Sequence, residues 1–297
     1  MVFIAFLVLI IIYICVFYCA HVRKHINSIK ISSGTNTYQS PETKIYLENL
    51  VSLLKKYNVY DKNGLIKLIR LGKNNDGGYV VPEIALKQAD VLMGYGIADD
   101  ISFEEQFSDR YNKKSYGFDC GGNVNINIKN KLLSFIPECI STDNFLMNTV
   151  SSKRISSFSN QLKDLKLDGK KIFIKMDVEG AEYYCFNDIL KHVNNITGIV
   201  IEIHLFSEDY VKKAVNLLSM LNKHFFLMHV HGNNVLADSA FVTENSKGKL
   251  TKALELTYIN KSLVIRYEVP KIQSYPLPID MPNTPSKPDV KFEILVD

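Results

Sequence analysis

Apolar residues recur along the chain in two patterns, short continuous runs and longer segments with helical spacing. Residues 43–57 carry their apolar side chains at helical spacing, which predicts an amphipathic helix. Farther along, helical segments alternate with short apolar or β-branched runs, which predicts an α/β fold built around a mostly parallel sheet. The predicted strands are residues 79–81, 91–93, 115–118, 172–176, 198–203, 225–230, 239–242 and 253–259, and the predicted later helices are residues 102–111, 181–192 and 209–221.

The N-terminal segment differs in composition from everything after it. Residues 2–20 carry no charge, and thirteen of these nineteen residues are Val, Leu, Ile or Phe. A helix of this length rises about 1.5 Å per residue and spans the roughly 30 Å of bilayer hydrocarbon. Nothing basic precedes Val2 and the run is long, which favours an anchor over a cleaved signal peptide. We therefore predict a transmembrane helix in residues 1–22, a polar linker in residues 23–42 and one globular domain in residues 43–297.

The residues that follow the apolar run predict the orientation of a single-pass membrane protein. Arg23, Lys24 and Lys30 lie on its C-terminal side, so the positive-inside rule predicts a cytoplasmic domain. Two sequons, at Asn195 and Asn260, would favour a lumenal domain if they were glycosylated.

Cysteine usage and net charge exclude several classes of protein. Outside the anchor, Cys120, Cys139 and Cys185 are odd in number and lack CxxC spacing, which predicts reduced thiols rather than a disulfide framework or a zinc site. The formal net charge is only +4, without a clustered basic face, so no nucleic-acid partner is predicted.

The segment KIFIKMDVEGAE, residues 171–182, carries the strongest indication of a site. Its apolar run stops at Lys175, and Asp177, Glu179 and Glu182 follow around Gly180. A buried parallel strand that ends this way delivers charged residues to the carboxyl edge of the sheet, where open α/β sheets bind ligands. Closely packed charges after a core strand are costly unless they pair, hydrogen-bond or take part in chemistry. We therefore favour a functional site over a solvated turn.

A second strand end, VLMGYGIADD at residues 91–100, contains a glycine-rich turn. Gly94 and Gly96 would let the chain turn sharply and let backbone N–H groups approach a ligand. The next helix is predicted to begin near Ser102, with Ser102 and Glu105 forming a capping box. The following strand ends at Asp119, where an acid can accept hydrogen bonds from ribose hydroxyls.

Position 99 separates two kinds of nucleoside cofactor. A dinucleotide-binding turn places glycine or alanine there against the pyrophosphate, whereas this chain has Asp99. An acid would repel a diphosphate but would suit the cationic sulfonium and amino groups of S-adenosylmethionine. The charge therefore favours S-adenosylmethionine over NAD.

These motifs also resemble a known family. KMDVEG, residues 175–180, is similar to the Lys-x-Asp-[Val/Ile]-Glu-Gly signature of FkbM-type methyltransferases, a branch of the class I S-adenosylmethionine-dependent enzymes. Other similar segments are RLGKNNDGGYVVPE (70–83), GYGIADDISFE (94–104), IVIEIH (199–204), HVHGNN (229–234), LELTYI (254–259) and IDMPN (279–283). The resemblance spans about residues 65–288. It departs at the cofactor loop, where many relatives have Asp-x-Gly-Ala-Asn and this chain has Met93-Gly-Tyr-Gly-Ile-Ala-Asp.

The resemblance implies a Rossmann-like methyltransferase fold with a mostly parallel seven-stranded sheet, and methyl transfer to a hydroxyl oxygen. It implies that Asp119 binds the ribose of the cofactor, and that Asp177 and Glu179 lie beside the transferred methyl group or the acceptor. The implied cofactor contacts are Gly94, Tyr95, Gly96, Asp119 and Asp177.

Methyl transfer to a hydroxyl needs a base to take the proton, and acidic and histidine side chains supply one. Asp177, Glu179 and His204 are the predicted catalytic residues, and His231 is a further candidate base. Asp177 and Glu179 offer oxygen ligands to a divalent cation, but no complete ligand set is visible and no metal is predicted.

Two other functions compete with this one. One is a catalytically inactive, membrane-tethered binding module with a methyltransferase-like fold. The other is an NAD-linked oxidoreductase, which Asp99 disfavours. The acceptor is expected to be a small molecule, a glycan or a lipid, and the N-terminal helix is expected to hold the protein at a membrane.

Overall fold

The computed structural model describes residues 40–121, 126–142, 154–271 and 273–296. The predicted anchor, residues 1–22, and nearly all of the predicted linker, residues 23–42, lie outside these ranges. Among the described helices, none combines the length and apolar character needed to cross a bilayer.

The described elements alternate along the chain as the sequence predicts. The helices are α1 (Pro41–Leu53), α2 (Glu83–Gln88), α3 (Ser102–Tyr111), α4 (Phe158–Asp164), α5 (Phe186–Ile189) and α6 (Glu208–His224), with 3₁₀ turns at Ala181–Tyr184, Leu190–Asn195, Asn234–Ser239 and Lys261–Leu263. The strands are β1 (Asn58–Asp61), β2 (Gly64–Leu65), β3 (Leu68–Leu71), β4 (Tyr79–Pro82), β5 (Val91–Tyr95), β6 (Lys114–Phe118), β7 (Leu133–Ile136), β8 (Glu138–Ile140), β9 (Arg154–Ser156), β10 (Ile172–Met176), β11 (Ile196–His204), β12 (Phe225–Gly232), β13 (Ser246–Gly248), β14 (Ala253–Asn260), β15 (Arg266–Glu268), β16 (Gln273–Tyr275) and β17 (Phe292–Ile294).

A seven-stranded sheet is the centre of the described structure. Its order is β12-β14-β11-β10-β5-β6-β7. Strands β5, β6, β7, β10 and β11 pair in parallel, and β14 runs antiparallel to both of its neighbours. The α/β class and the mostly parallel seven-stranded sheet are therefore confirmed, and the sheet is Rossmann-like.

Both faces of the sheet are covered, which explains why its strands are continuous apolar runs. Along β10, Ile172 and Ile174 belong to one core cluster, which includes residues of α1 and α6. Phe173 belongs to a second cluster, which includes residues of α2, α3, β3 and β4. Because successive side chains of a strand point to opposite faces, the two clusters lie on opposite sides of the sheet.

Most predicted elements are present, two of them with the predicted bounds, Ser102–Tyr111 and Ile172–Met176. The predicted helix at residues 181–192 is wrong, because the chain there forms a 3₁₀ turn, the short α5 and a second 3₁₀ turn in which His192 has non-helical dihedral angles. Asn194 and Asn195 at the end of this segment favour turns over helix. The predicted strand at residues 239–242 is also wrong, since Phe241 forms only an isolated bridge with Leu250.

Of the two sequons, the one at Asn260 is closed off by the fold. Asn260 is 7% exposed, and its side-chain amide donates hydrogen bonds to the carbonyl oxygens of Val193 and Ile196 at 2.9 and 2.8 Å. Asn195 is partly exposed and donates to the carbonyl oxygen of Lys170 at 3.2 Å. A glycan at Asn260 would require local unfolding of the end of β14.

Candidate functional site

Three neighbouring strand ends form the floor of a cleft. In β5, Tyr95 pairs with Phe118 of β6 on one side and with Met176 of β10 on the other. The carboxyl ends of these parallel strands therefore meet at one edge, as the sequence predicted. The cleft at this edge has a volume of about 480 Å³, and its lining includes Gly96, Phe118, Asp119, Ile140, Asp177 and Glu179.

Two glycines at the end of β5, Gly94 within the strand and Gly96 just after it, leave room for neighbouring protein atoms. A Cβ at Gly94 would overlap the carboxylate of Glu104, and a Cβ at Gly96 would overlap the carbonyl oxygen of Asp177. Gly96 has a φ of +71° and donates a backbone hydrogen bond to the carbonyl oxygen of Phe118 at 2.9 Å. Tyr95 and Gly96 line the cleft, whereas Gly94 makes its close approach to a side chain of the protein.

The predicted capping box at the start of α3 is wrong. The helix begins at Ser102, so the N-cap position falls on Ile101, whose side chain makes no capping bond. Asp100 supplies the cap instead, since its Oδ1 accepts a hydrogen bond from the backbone N–H of Ser102 at 3.0 Å. The Ser102 hydroxyl oxygen accepts a bond from the backbone N–H of Lys73 at 3.0 Å, which ties the helix to the turn after β3.

A smaller cavity of about 100 Å³ adjoins the cleft and shares Gly96 and Asp177 with it. Its lining includes Asp99, Glu104 and Lys175. The Lys175 ammonium donates to the carbonyl oxygen of Gly96 at 3.1 Å, and Glu104 Oε1 is buried without a hydrogen-bond partner in the described part of the chain. Burial raises the pKa of Glu104, and the charge of Lys175 opposes this shift. Asp99 therefore lines this smaller cavity.

Asp119 is fixed at the end of β6 by two backbone groups. Its Oδ2 accepts a hydrogen bond from the N–H of Ala98 at 2.8 Å, and its Oδ1 accepts one from the N–H of Gly121 at 2.6 Å. Ala98 has a φ of +45°, which turns its N–H toward the carboxylate. Each carboxylate oxygen retains a lone pair, so Asp119 can still accept hydrogen bonds from a diol in the cleft.

One wall of the cleft comes from β8 and β9, which the sequence did not predict. Ile140 and Ile155 give this wall an apolar surface, and Glu138 is held by a salt bridge to Arg154 at 3.0 Å. No local motif marks these residues, because their place in the cleft depends on how two short strands pair.

Cys120 and Cys139 form a disulfide on the same wall, so the prediction of reduced thiols is wrong for this pair. Cys185 is a buried free thiol, which accounts for the odd number of cysteines. The pairing joins the end of β6 to β8, a contact that spacing along the sequence does not reveal.

Asp177 and Glu179 line the cleft, and His204 lies against both of them. His204 Nε2 lies 3.4 Å from Glu179 Oε2 and 3.8 Å from Asp177 Oδ1. Glu179 has a φ of +53° and Gly180 a φ of +98°. Two successive left-handed residues turn the chain sharply after β10, which brings the Glu179 carboxylate back toward β11. The structure therefore brings these three residues together.

Glu182 and Glu202 are two further acids near the same histidine. Glu182 is fully buried, and its carboxylate accepts hydrogen bonds from the backbone N–H groups of Gly180 and His204 at 2.7 and 3.0 Å. Glu182 Oε1 also lies 3.4 Å from His204 Nδ1, so this side chain fixes the imidazole ring. Glu202 Oε1 accepts from the side-chain amide of Asn233 at 2.9 Å, and its Oε2 has no hydrogen-bond partner among the described residues. The sequence pointed to Glu182 but not to its role.

The group concentrates negative charge in a buried place. Burial lowers the pKa of His204, but the hydrogen bond to Glu182 and the charges of Glu202 and Glu179 raise it to about 9. Burial raises the pKa of Asp177, and partial desolvation of its carboxyl group raises the pKa of the more exposed Glu179, while the charge of His204 opposes both shifts. The pKa of Glu202 is raised well above its usual value by burial and by the nearby Asp177 carboxylate. A cation placed here would relieve this repulsion.

Tyr79 is a site residue that the sequence analysis did not single out. Its hydroxyl donates a hydrogen bond to Asp177 Oδ2 at 3.2 Å, and the Lys175 ammonium lies 5.5 Å from its ring centroid. Asp177 Oδ1 has no partner among the described residues. One oxygen of Asp177 is therefore held by the protein, and the other remains available to a ligand.

His231, the further candidate base, is occupied by structural contacts. Its Nδ1 lies 3.1 Å from Glu255 Oε2, and its Nε2 lies 3.1 Å from Asp289 Oδ1. Burial lowers the pKa of His231, but the charges of Glu255 and Asp280 and the hydrogen bonds to Asp289 and Glu255 raise it to about 11. Both ring nitrogens are used, so we exclude it as the base.

We expect His231→Gln to lower the free energy of unfolding by about 3 kcal/mol near pH 6, because it leaves two carboxylates without their buried partner. The unfolded pKa of histidine is about 6.5, and the folded pKa is raised to about 11. The stabilisation is therefore complete below the unfolded value and is lost as the pH rises through the folded value. Urea denaturation at pH 6 and pH 9.5 should show a smaller difference between variant and wild type at the higher pH. The exposed His224→Gln is the control, and a pH-independent difference would contradict the assignment.

No known family model matches the chain, and no curated protein matches it. The likeness to FkbM-type methyltransferases therefore rests on the quoted motifs. Of those motifs, the structure brings KMDVEG, the Gly94–Glu104 segment and IVIEIH to one edge of the sheet.

Proposed function

We propose that the protein is an S-adenosylmethionine-dependent methyltransferase that transfers a methyl group to a hydroxyl oxygen. The observation that carries the proposal is one cleft lined by Asp119, Asp177 and Glu179, with His204 in contact with the last two. Asp119 suits a nucleoside, and the group around Asp177 suits a sulfonium cation and a proton transfer.

The cleft offers each part of the cofactor a matching surface. The free lone pairs of Asp119 suit the two ribose hydroxyls. The apolar side chains of Phe118, Ile140 and Ile155 suit a flat adenine ring. The turn at residues 94–96 would line the methionine end, and the acidic group near Asp177 would attract the positive sulfonium.

The strand order also supports a methyltransferase over an NAD-linked oxidoreductase. The strands of the main sheet, counted in chain order, lie as 3-2-1-4-5-7-6. The dinucleotide-binding Rossmann order is 3-2-1-4-5-6, so here one antiparallel strand, β14, is inserted between the fifth and sixth. A seven-stranded sheet is also what the family resemblance implies.

In the proposed reaction, the acceptor oxygen attacks the methyl carbon in line with the sulfur. The O–C bond forms as the C–S bond breaks, and the bonding electron pair returns to sulfur, which becomes neutral. The hydroxyl proton passes to the carboxylate of Asp177 or to that of Glu179. Desolvation raises the pKa values of both acids and so makes them stronger bases. The protein otherwise contributes the alignment of the two reactants.

Isothermal titration of the purified full chain with S-adenosylmethionine tests the first step. We expect binding in the micromolar to millimolar range usual for enzyme substrates. Asp119→Asn should weaken binding by about tenfold to hundredfold, because it replaces one charged acceptor of the ribose hydroxyls. The exposed Asp168→Asn is the matched control and should bind as wild type does.

Two results would contradict the proposal. If wild type does not bind S-adenosylmethionine at millimolar concentration, this cofactor is excluded. Heat of binding on titration with NAD would instead favour the oxidoreductase. Binding without methyl incorporation into any membrane extract supplied with labelled cofactor would favour the inactive, tethered binding module. Membrane attachment through residues 1–22 and a glycan or lipid acceptor are part of the same proposal.

A further inference from the structure

We propose that Asp177, Glu179 and His204 bind a divalent cation of the first transition row, Mn²⁺ or Zn²⁺. This inference adds a bound metal to the proposed function, and the catalytic role of the cation rests on that function. The cation would lie at the acceptor end of the cleft, where a metal lowers the pKa of a bound hydroxyl. Binding itself depends only on the three side chains.

The spacing of the ligand atoms fits a metal. One atom from each side chain lies within 4.8 Å of the other two. A cation about 2.1 Å from each ligand atom requires separations of up to about 4.2 Å. The two distances from His204 Nε2, 3.4 and 3.8 Å, already meet this limit. The Glu179 side chain is 77% exposed, so it can close the remaining separation by rotation.

The histidine is held as a metal ligand usually is. Ligating imidazoles typically have their second ring nitrogen at a carboxylate, which fixes the tautomer and the ring orientation. Here Glu182 contacts His204 Nδ1 at 3.4 Å and is itself held by two backbone N–H groups. His204 Nε2 points among carboxylates, at distances of 3.4 to 3.8 Å. His204 is 3% exposed.

Two carboxylate side chains that lie near this nitrogen each carry an unpartnered oxygen, which is an independent observation. Asp177 Oδ1 and Glu202 Oε2 are buried and have no hydrogen-bond partner among the described residues. Glu202 is 3% exposed, and its other oxygen lies 3.8 Å from His204 Nε2. A buried acceptor without a partner is costly. A cation would satisfy Asp177 directly and offset the charge of Glu202 behind it.

The mixture of ligands selects the cation. One imidazole with two carboxylates suits Mn²⁺ and Zn²⁺, whereas Mg²⁺ and Ca²⁺ prefer oxygen ligands alone. The remaining coordination positions would face the cleft, because Asp177 and Glu179 both line it.

The test is titration of the metal-free full chain, purified without a histidine tag, with MnCl₂, ZnCl₂ and MgCl₂ and without S-adenosylmethionine. We expect about one Mn²⁺ or Zn²⁺ per chain. His204→Gln and Glu179→Gln should each weaken binding more than about 100-fold, and Glu182→Gln should weaken it about 10- to 100-fold. The exposed residues His224 and Glu244 provide the matched controls, His224→Gln and Glu244→Gln, which should bind as wild type does.

If His204→Gln does not fold, Glu179→Gln still tests metal binding. This variant should fold, because the exposed Glu179 side chain contributes little to packing. No Mn²⁺ or Zn²⁺ binding by wild type would overturn the inference. Unchanged binding in Glu179→Gln, or binding of Mg²⁺ alone, would also overturn it. Cofactor binding without metal binding would refute only this inference, and metal binding without cofactor binding would refute only the proposed function.

Discussion

Replacing Gly96 with alanine is expected to lower the free energy of unfolding by more than about 4 kcal/mol, the range reached only by severe steric or polar defects. The new Cβ would overlap the carbonyl oxygen of Asp177, a backbone atom that cannot move without shifting the end of β10. Asp177 also donates its N–H to the carbonyl oxygen of Tyr95 at 3.0 Å, so the clash would break this bond between the strand ends. Urea denaturation followed by circular dichroism measures the loss.

Gly169 provides a control that separates the clash from backbone strain. Its φ of +74° is close to the +71° of Gly96, but a Cβ at Gly169 would meet nothing within 4 Å. Gly169→Ala therefore tests the dihedral angle alone and should lower the free energy of unfolding by about 1 kcal/mol. Equal losses in the two variants would mean that the approach of Asp177 to Gly96 does not matter.

The Gly96 contact also shows what sequence reasoning reached and what it did not. The strand and the turn after it were predicted from the apolar run and the two glycines. The sequence predicted that the glycines allow a ligand to approach the backbone closely. In the structure, the atoms nearest to these glycines belong instead to Glu104 and Asp177. A sequence shows where a side chain must be absent, but only the fold shows which atom occupies the space.

The central strands were predictable because both faces of the sheet are buried. Ile172–Met176 and Ile196–His204 are continuous buried runs with few alternative interpretations. The direction of β14 was not predictable, since an apolar run looks the same in either direction. The pairing of β8 with β9 and the disulfide between Cys120 and Cys139 also depend on long-range contacts that no local pattern encodes.

The acidic group was predictable for a similar reason. Asp177 and His204 end two neighbouring parallel strands, and such ends meet at one edge of a sheet. The same reasoning did not separate His204 from His231, because both follow apolar strand residues. The difference comes from the C-terminal segment, where Asp289 occupies the second nitrogen of His231. This contact is long-range, so no local pattern in the sequence predicts it.

Asp177→Asn is expected to lower the rate of methyl transfer by about 10²- to 10⁴-fold, the range that acid–base groups contribute. Asparagine has the same shape but carries no charge, so it cannot accept the hydroxyl proton or attract the sulfonium. The fold should survive, because Asp177 Oδ1 has no hydrogen-bond partner among the residues that the structure describes and burial raises the pKa of this acid. The measurement is transfer of labelled methyl groups to a membrane extract, with thermal unfolding of the same samples.

The charge argument gives this variant a second measurement that a loss of packing would not reproduce. S-adenosylmethionine is a cation at sulfur, whereas the product S-adenosylhomocysteine is neutral there, so Asp177→Asn should weaken binding of the former and leave the latter unchanged. The exposed Asp168→Asn is the matched control and should alter neither ligand nor the rate. If binding of both ligands is weakened equally, the variant has a distorted cleft. An unchanged rate would show that other residues accept the proton and attract the sulfonium.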